Sequence, residues 1–308
     1  MNKTDFLSIM PYSRIVGQDD LKLALELAFI SDQIRGVLIS GHRGTGKSTA
    51  VRAFCRMIYG HLPTTLPINA TEDRVIGGWK IDELMRGNPK EQIGLLEQAK
   101  DEILYVDEIN LLDDHIVNII LDVTATNVLV IQREGKDSVR DVRFTLVGTM
   151  NPEEGDIRPQ LLDRFGLMAS ITAEKENALR KQILMTVLEQ DEALHSKNPS
   201  LHKFFVDGYK TDEDIKEQLI LARNNFYTIE VPDQIIDSCI TIGEKFQAIG
   251  HRADYIIALT SRALAAREGN SKVTVEHVRR VAHLGLQHRR ATTFEWSQDD
   301  KQLLDSLL

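Results

Sequence analysis

The sequence predicts an α/β fold, a parallel sheet with helices on both faces over residues 1–173, joined to an all-helical domain over 174–308. Three observations predict it. Up to about residue 172, short apolar runs alternate with longer amphipathic ones, the βαβ pattern of a covered parallel sheet. Beyond residue 174 the apolar residues recur only at helical spacing. Between the first apolar run and the first amphipathic one lies a glycine-rich loop ending in lysine and serine. A chain of 308 residues suffices for one large domain or two ordinary ones.

The strand candidates are 36–40, 65–68, 103–106, 144–147 and 169–171. Two of them are continuous apolar runs, as expected for strands buried on both faces. Three helical faces follow. Leu179, Ile183, Leu184, Val187 and Leu188 form the first, and Ile235, Ile236, Cys239, Ile240 and Phe246 the second. Ile256, Ile257, Leu259, Ala263 and Leu264 form the third, and Pro232 is placed to start the second helix. The polar stretch Lys197–Asp214, with a proline and a glycine, reads as a loop between helices.

Composition excludes several classes. No apolar run approaches the ~20 residues that span a bilayer. The N-terminus MNKTDFLSIMPYSR lacks a secretory apolar core, which predicts a cytoplasmic chain. Cys55 and Cys239 sit among apolar neighbours and read as small core residues, so neither a disulfide framework nor a zinc site is expected. A net charge of −9 argues against nucleic-acid affinity spread over the surface.

The chemistry starts at Gly41-His42-Arg43-Gly44-Thr45-Gly46-Lys47-Ser48, which fits G-x-x-x-x-G-K-[ST] at every fixed position. Glycines let backbone N–H groups converge on phosphate oxygens at the start of the helix that Thr49 continues. Lys47 would reach the terminal phosphates, and Ser48 would ligate Mg²⁺. The second element is the apolar run 103–106 followed by Asp107 and Glu108 at the carboxyl end of a strand. Asp107 would hold Mg²⁺ through water and Glu108 would polarise the attacking water, so the pair points to ATP hydrolysis. A third stretch, TMNPEEGDIRPQLLDRFG at 149–166, sets Asn151, Arg158 and Arg164 on a loop past a strand.

These residues resemble the AAA+ ATPases, and most closely the magnesium chelatase I-subunit branch. The resemblance rests on IVGQDDLKLAL (15–25), GHRGTGKSTAVRA (41–53), INATEDRVIGG (68–78), GLLEQA (94–99), LYVDEINLLDDHIVNIILD (104–122), GTMNPEEGDIRPQLLDRFGL (148–167) and GHRAD (250–254). It implies an AAA+ P-loop sheet with a C-terminal helical lid. It implies a hairpin-like insert over Thr71–Gly94, with Gly77-Gly78 as its turn, and a second hairpin over residues 128–144, both facing a ring pore. Asn151 matches sensor 1, Arg164 the arginine finger that completes a neighbour's site, and Arg252 sensor 2 over the γ-phosphate. Val16 and Gly17 match the stretch against adenine. Arg158 is a second candidate for a nucleotide-linked role, against an ion pair with Glu153 or Asp156.

The implied assembly is a ring homo-oligomer, a hexamer, acting on a partner with an integrin-type (von Willebrand A-like) domain, with chelatase-like or MoxR-like remodelling as its work. The segment 61–67 replaces the longer acidic insertion of photosynthetic subunits, so the resemblance is to a shortened motor module. Two rival readings are a nucleic-acid motor, kept open by Lys136 and Arg140, and a nucleotide-switched scaffold with little turnover. The cationic run 277–290 reads as a solvated helix face or as an inter-subunit contact. Its histidines lack metal-ligand spacing.

Overall fold

The computed structural model describes residues 9–79, 81–88, 90–133, 136–290 and 295–308. Nine strands follow in chain order: β1 Gly36–Gly41, β2 Thr64–Leu66, β3 Gly77–Trp79, β4 Glu91–Ile93, β5 Ile103–Val106, β6 Val128–Arg133, β7 Lys136–Asp141, β8 Thr145–Met150 and β9 Leu167–Ile171. The longer helices are α1 Asp19–Ile30, α2 Lys47–Tyr59, α3 Asp114–Thr126, α4 Asn177–Leu194, α5 Lys203–Asn225, α6 Asp233–Lys245, α7 Arg252–Arg267, α8 Val275–Leu286 and α9 Gln298–Leu307.

The main sheet has the order β2-β5-β8-β1-β9, and every pairing in it is parallel. All six residues of β1 are buried, and alternate side chains serve opposite faces of the sheet. Val37, Ile39, Ile103 and Tyr105 enter one core cluster with α1, α2 and the lid helices. Leu38, Leu104 and Val106 enter the other, with α3 and Leu129 of β6. Strand β8 runs on to Met150, beyond the expected end at 147, so Asn151 follows the strand directly.

The two inserted hairpins pair antiparallel, β3 with β4 and β6 with β7. Gly77 and Gly78 lie in β3, not in a turn: a Cβ on Gly77 would meet the Gln92 carbonyl oxygen at 2.7 Å, so the glycine permits strand contact. Residues 134–135, between β6 and β7, lie outside the described residues. Arg140 of β7 donates to Glu91 (2.5 Å) and to Glu97, which ties the two hairpins together and balances the cation that kept a nucleic-acid reading open. The side chain of Lys136 lies outside those described.

Three expectations for the helical part are corrected: the loop at 197–214, the start of α6 at Pro232, and the run 277–290. Residues 203–214 are not a loop; they form the first half of α5, whose Phe204, Phe205, Gly208 and Asp212 are buried on one side. Gly208 is there because Pro11 packs onto it, with 2.7 Å left for a Cβ, and Asp212 accepts the Tyr12 and Ser13 N–H groups at 3.0 and 2.8 Å. The apolar face of α4 is helical but not core: Leu184 is 60% exposed and Leu188 53%. In α6, Ile235 and Cys239 are buried while Ile236 and Ile240 are exposed, and Pro232 is its N-cap rather than its first residue.

The third correction concerns 277–290. Neither solvated nor left for a neighbour, its end is buried against β9 and the chain just before it. Gln287 donates to the Met168 carbonyl and accepts from Ser170 Oγ at 3.1 Å. His288 Nε2–H donates to the Phe165 carbonyl at 3.0 Å, and Arg289 donates to the carbonyls of Gly166 (2.9 Å) and Gly285 (2.7 Å) and to that of Phe165. Burying these groups is tolerable because backbone oxygens receive most of their protons; Arg289 Nε and His288 Nδ1 have no partner among the described residues. His277 closes a capping box with Thr274 at the start of α8.

Burial pushes His288 well below the ordinary histidine range, and the Arg289 charge acts in the same direction. The folded protein therefore keeps His288 neutral where the unfolded chain takes up a proton. Stability from this group is complete above about pH 6.5 and is lost as pH falls below it, at up to about 1.4 kcal/mol per pH unit. Between pH 7 and 5.5, urea unfolding of the wild type should lose about 1 kcal/mol more than that of His288→Gln. Equal losses would refute a neutral buried His288.

Candidate functional site

The site lies at the carboxyl ends of β1, β5 and β8, where open parallel sheets place their ligands. Register assembles it. Ser40 of β1 pairs with Met150 of β8, and Val106 of β5 pairs with Gly148. The residues that follow these strands, the phosphate loop, Asp107 and Asn151, are thereby brought together. They line a cavity of about 530 Å³ formed by residues 43–49, 107, 108 and 149–151.

Between β1 and α2 the loop turns through Gly44 and Gly46, at φ +77° and +78°, a conformation that side chains other than glycine rarely adopt. Lys47 opens α2 and folds back on its loop, donating to the carbonyls of Gly41 and His42, the latter at 2.8 Å. Partial burial holds its pKa below the usual lysine value. Gln18, in a left-handed turn after Gly17, donates to the Thr45 carbonyl and so ties the segment of Val16 and Gly17 to the loop.

Asp107 is the hub. Its Oδ1 accepts from Thr149 Oγ1 at 2.6 Å, from Tyr105 OH at 2.9 Å and from Ser48 Oγ at 3.3 Å. Burial pushes the Tyr105 phenol up to about 12, so it stays a donor. Thr149 also accepts the Glu108 N–H at 3.1 Å. That bond holds Glu108 in a left-handed backbone conformation, φ 57°, a local strain typical of functional loops. The opposed hydroxyl of Ser48 and carboxylate of Asp107 are hard oxygen donors, the set that suits Mg²⁺ shared with nucleotide phosphates.

Arg43 reaches over the cavity to Glu108 Oε1 (3.3 Å) and Glu154 Oε1 (2.8 Å). The same Glu154 oxygen accepts from Asn151 Nδ2 at 2.9 Å. Asn151 is 5% exposed and caps the turn Pro152–Glu154. His42 stands 3.6 Å from Glu153.

Arg164 and Arg252 are not brought to this cavity. Arg252 pairs with Asp163 at 3.1 Å and donates to the Arg164 carbonyl at 3.4 Å, so it sits against the Arg164 loop and not over its own phosphate loop. Arg164 is half-buried and its Nε has no hydrogen-bond partner among the described residues. Arg158 pairs with Asp114, and its guanidinium stands 3.5 Å from Asn118 Oδ1, both on α3; neither Glu153 nor Asp156 is its partner. Sequence reasoning missed Thr149, Tyr105, Gln18 and Glu154. Only for Thr149 was a signal present: a hydroxyl at a strand end, one register step past the partner of Val106.

Comparison with known proteins agrees with this geometry. The AAA domain (dynein-related subfamily) matches residues 36–165, and the AAA lid domain matches 237–306. The magnesium-chelatase subunit ChlI homolog of Methanocaldococcus jannaschii is 36% identical over 97% of this chain and 91% of its own. The magnesium-chelatase 38 kDa subunit of Chlorobaculum parvum is 37% identical over 91% of this chain and 90% of its own. A crystal structure of a Cytophaga hutchinsonii protein, 14% identical, shares the fold with a TM-score of 0.66 over 98% of this chain and 91% of that one. The chain belongs to the AAA+ ATPases of the magnesium chelatase I-subunit family.

Thr149→Val keeps the shape of a side chain that is 1% exposed but removes both of its hydrogen bonds. A buried donor and acceptor left unmatched cost about 1–3 kcal/mol. ATP turnover should fall at least about tenfold, with the Mg²⁺ concentration for half-maximal rate raised. An unchanged Mg²⁺ dependence would show that Thr149 does not position Asp107.

Proposed function

We propose that this AAA+ protein hydrolyses Mg-ATP as the motor of a hexameric, cytoplasmic ring that remodels a chelatase-type partner carrying an integrin-type (von Willebrand A-like) domain. The observation that carries the reading is Asp107, a carboxylate held by three hydroxyl groups at the mouth of the phosphate-loop cavity, with Glu108 beside it. The family's relatives named as magnesium-chelatase subunits support the type of work.

In this reading the glycine turns of 41–46 offer backbone N–H groups to the phosphates, and Val16 and Gly17 lie against the base. Lys47 leaves its loop carbonyls for the terminal phosphates. Ser48 and Asp107 would hold a magnesium ion, which would offset charge on the phosphate oxygens. Glu108 polarises the attacking water once Arg43 releases it, and Asn151 orients that water or the γ-phosphate. Arg164 and Arg252, joined through the Arg164 carbonyl, serve the nucleotide of the adjacent subunit. An arginine turned away from its own site can complete a neighbour's in a head-to-tail contact, and a contact of that kind that closes makes a ring.

Two variants test this. Glu108→Gln should bind ATP with near-normal affinity and lose at least about a hundredfold in turnover; used as bait in native lysate, it should capture an integrin-type-domain protein. Equal, slow hydrolysis by wild type and variant would instead leave a nucleotide-switched scaffold. Arg164→Ala should abolish turnover, and mixing it with Lys47→Ala should restore part of it, because each supplies what the other lacks. Unaffected turnover in Arg164→Ala alone would overturn the shared site.

A further inference from the structure

Helix α4 is held at one end only. Of its eighteen residues, Ala193 alone is buried, against Met10, Phe204 and Phe205. The preceding turns carry Ile183, Leu184, Met185, Val187 and Leu188, exposed by 37%, 60%, 59%, 49% and 53%. A contiguous apolar face of this kind marks an interaction surface.

Its sequence says what covers it. Arg180, Ile183, Leu184, Val187, Leu188 and Asp191 recur at spacings of three and four and so form one stripe along the helix. The apolar part of the stripe is symmetric about the point between Met185 and Thr186, and its charged ends are of opposite sign. Residues at equal distance from that point are Leu184 and Val187, Ile183 and Leu188, and Arg180 and Asp191. The middle is apolar, one end is a cation and the other an anion. Lys181 and Glu192, next to Arg180 and Asp191, repeat the same polarity.

We propose that α4 pairs antiparallel with α4 of a second copy of this chain, about a twofold axis through that midpoint. Leu184 then meets Val187 of the second copy, Ile183 meets Leu188, and Arg180 at each end meets Asp191. Antiparallel helix dipoles add to the attraction. Arg180 has no side-chain partner among the described residues, whereas the Asp191 carboxylate stands 3.5 Å from His195 on its own exposed helix. The contact is isologous and closes at two copies. It is therefore separate from the head-to-tail contact of the proposed ring, and it would join two protomers or two rings whether or not the ring reading holds.

Charge reversal tests both the pairing and its register. Arg180→Glu places two glutamates against two aspartates and Asp191→Arg places four arginines together, so each variant alone repels its own copy. An equimolar mixture restores both opposite-charge pairs. Sedimentation equilibrium of the full, nucleotide-free chain should show twofold self-association in the wild type. Each variant should associate at least about tenfold more weakly, and the mixture should recover 1:1 pairs. Both substitutions are at exposed positions, so melting temperatures should stay at the wild-type value. A monomeric wild type, variants that associate like the wild type, or a mixture that fails to recover would each overturn the proposal; the last would assign the face to a different partner.

Discussion

The parallel register of β5, β8 and β1 is the constraint on which the chemistry depends. Each strand carries its functional residue just past its carboxyl end, where the sheet stops covering side chains. With Val106 opposite Gly148 and Ser40 opposite Met150, Asp107 falls beside Thr149 and the phosphate loop beside Asn151. A slip of one residue in β8 would turn Thr149 to the other face of the sheet and leave Asp107 without its closest donor. The burial of both faces fixes the register, since Leu146 and Val147 fill different cores.

A second constraint joins the lid to the sheet. Gln287, His288 and Arg289 are three consecutive buried polar residues, each of which donates to a carbonyl of residues 165–168. Arg252 holds the same loop from the other lid helix, through Asp163 and the Arg164 carbonyl. The segment carrying Arg164 is thus gripped by two helices of the lid, while Asn151 at the other end of the same stretch answers to the phosphate loop through Glu154 and Arg43. The lid therefore contacts the Arg164 segment directly.

The phosphate loop and the Asp107–Glu108 pair were legible because their chemistry needs fixed residue types at fixed spacing and each is local in sequence. Of the lid helices, α4, α6 and α7 were legible from periodicity, whereas the first half of α5 read as a loop. What periodicity cannot tell is whether a stripe faces a core or a neighbour, and α4 is the case in point: its spacing matches that of α7, yet one helix is exposed and the other packed. Gly208 shows the converse error. A glycine inside a polar run reads as a loop, although here it is the flat spot that lets Pro11 approach α5.

By itself, then, the sequence determined the phosphate-loop motif, the parallel α/β class with its helical lid, and the family. Each rests on contiguous residues or on a period, and both survive without knowing what lies across space. Only the tertiary structure decided that Thr149 and Tyr105 hold Asp107, that the basic run 277–290 ends buried on backbone carbonyls, and that Arg252 leans on the Arg164 loop instead of the phosphate-loop cavity. These pairings join residues far apart in the chain, and hydrogen-bond partners at such separations are set by strand register and helix packing, which no local pattern encodes.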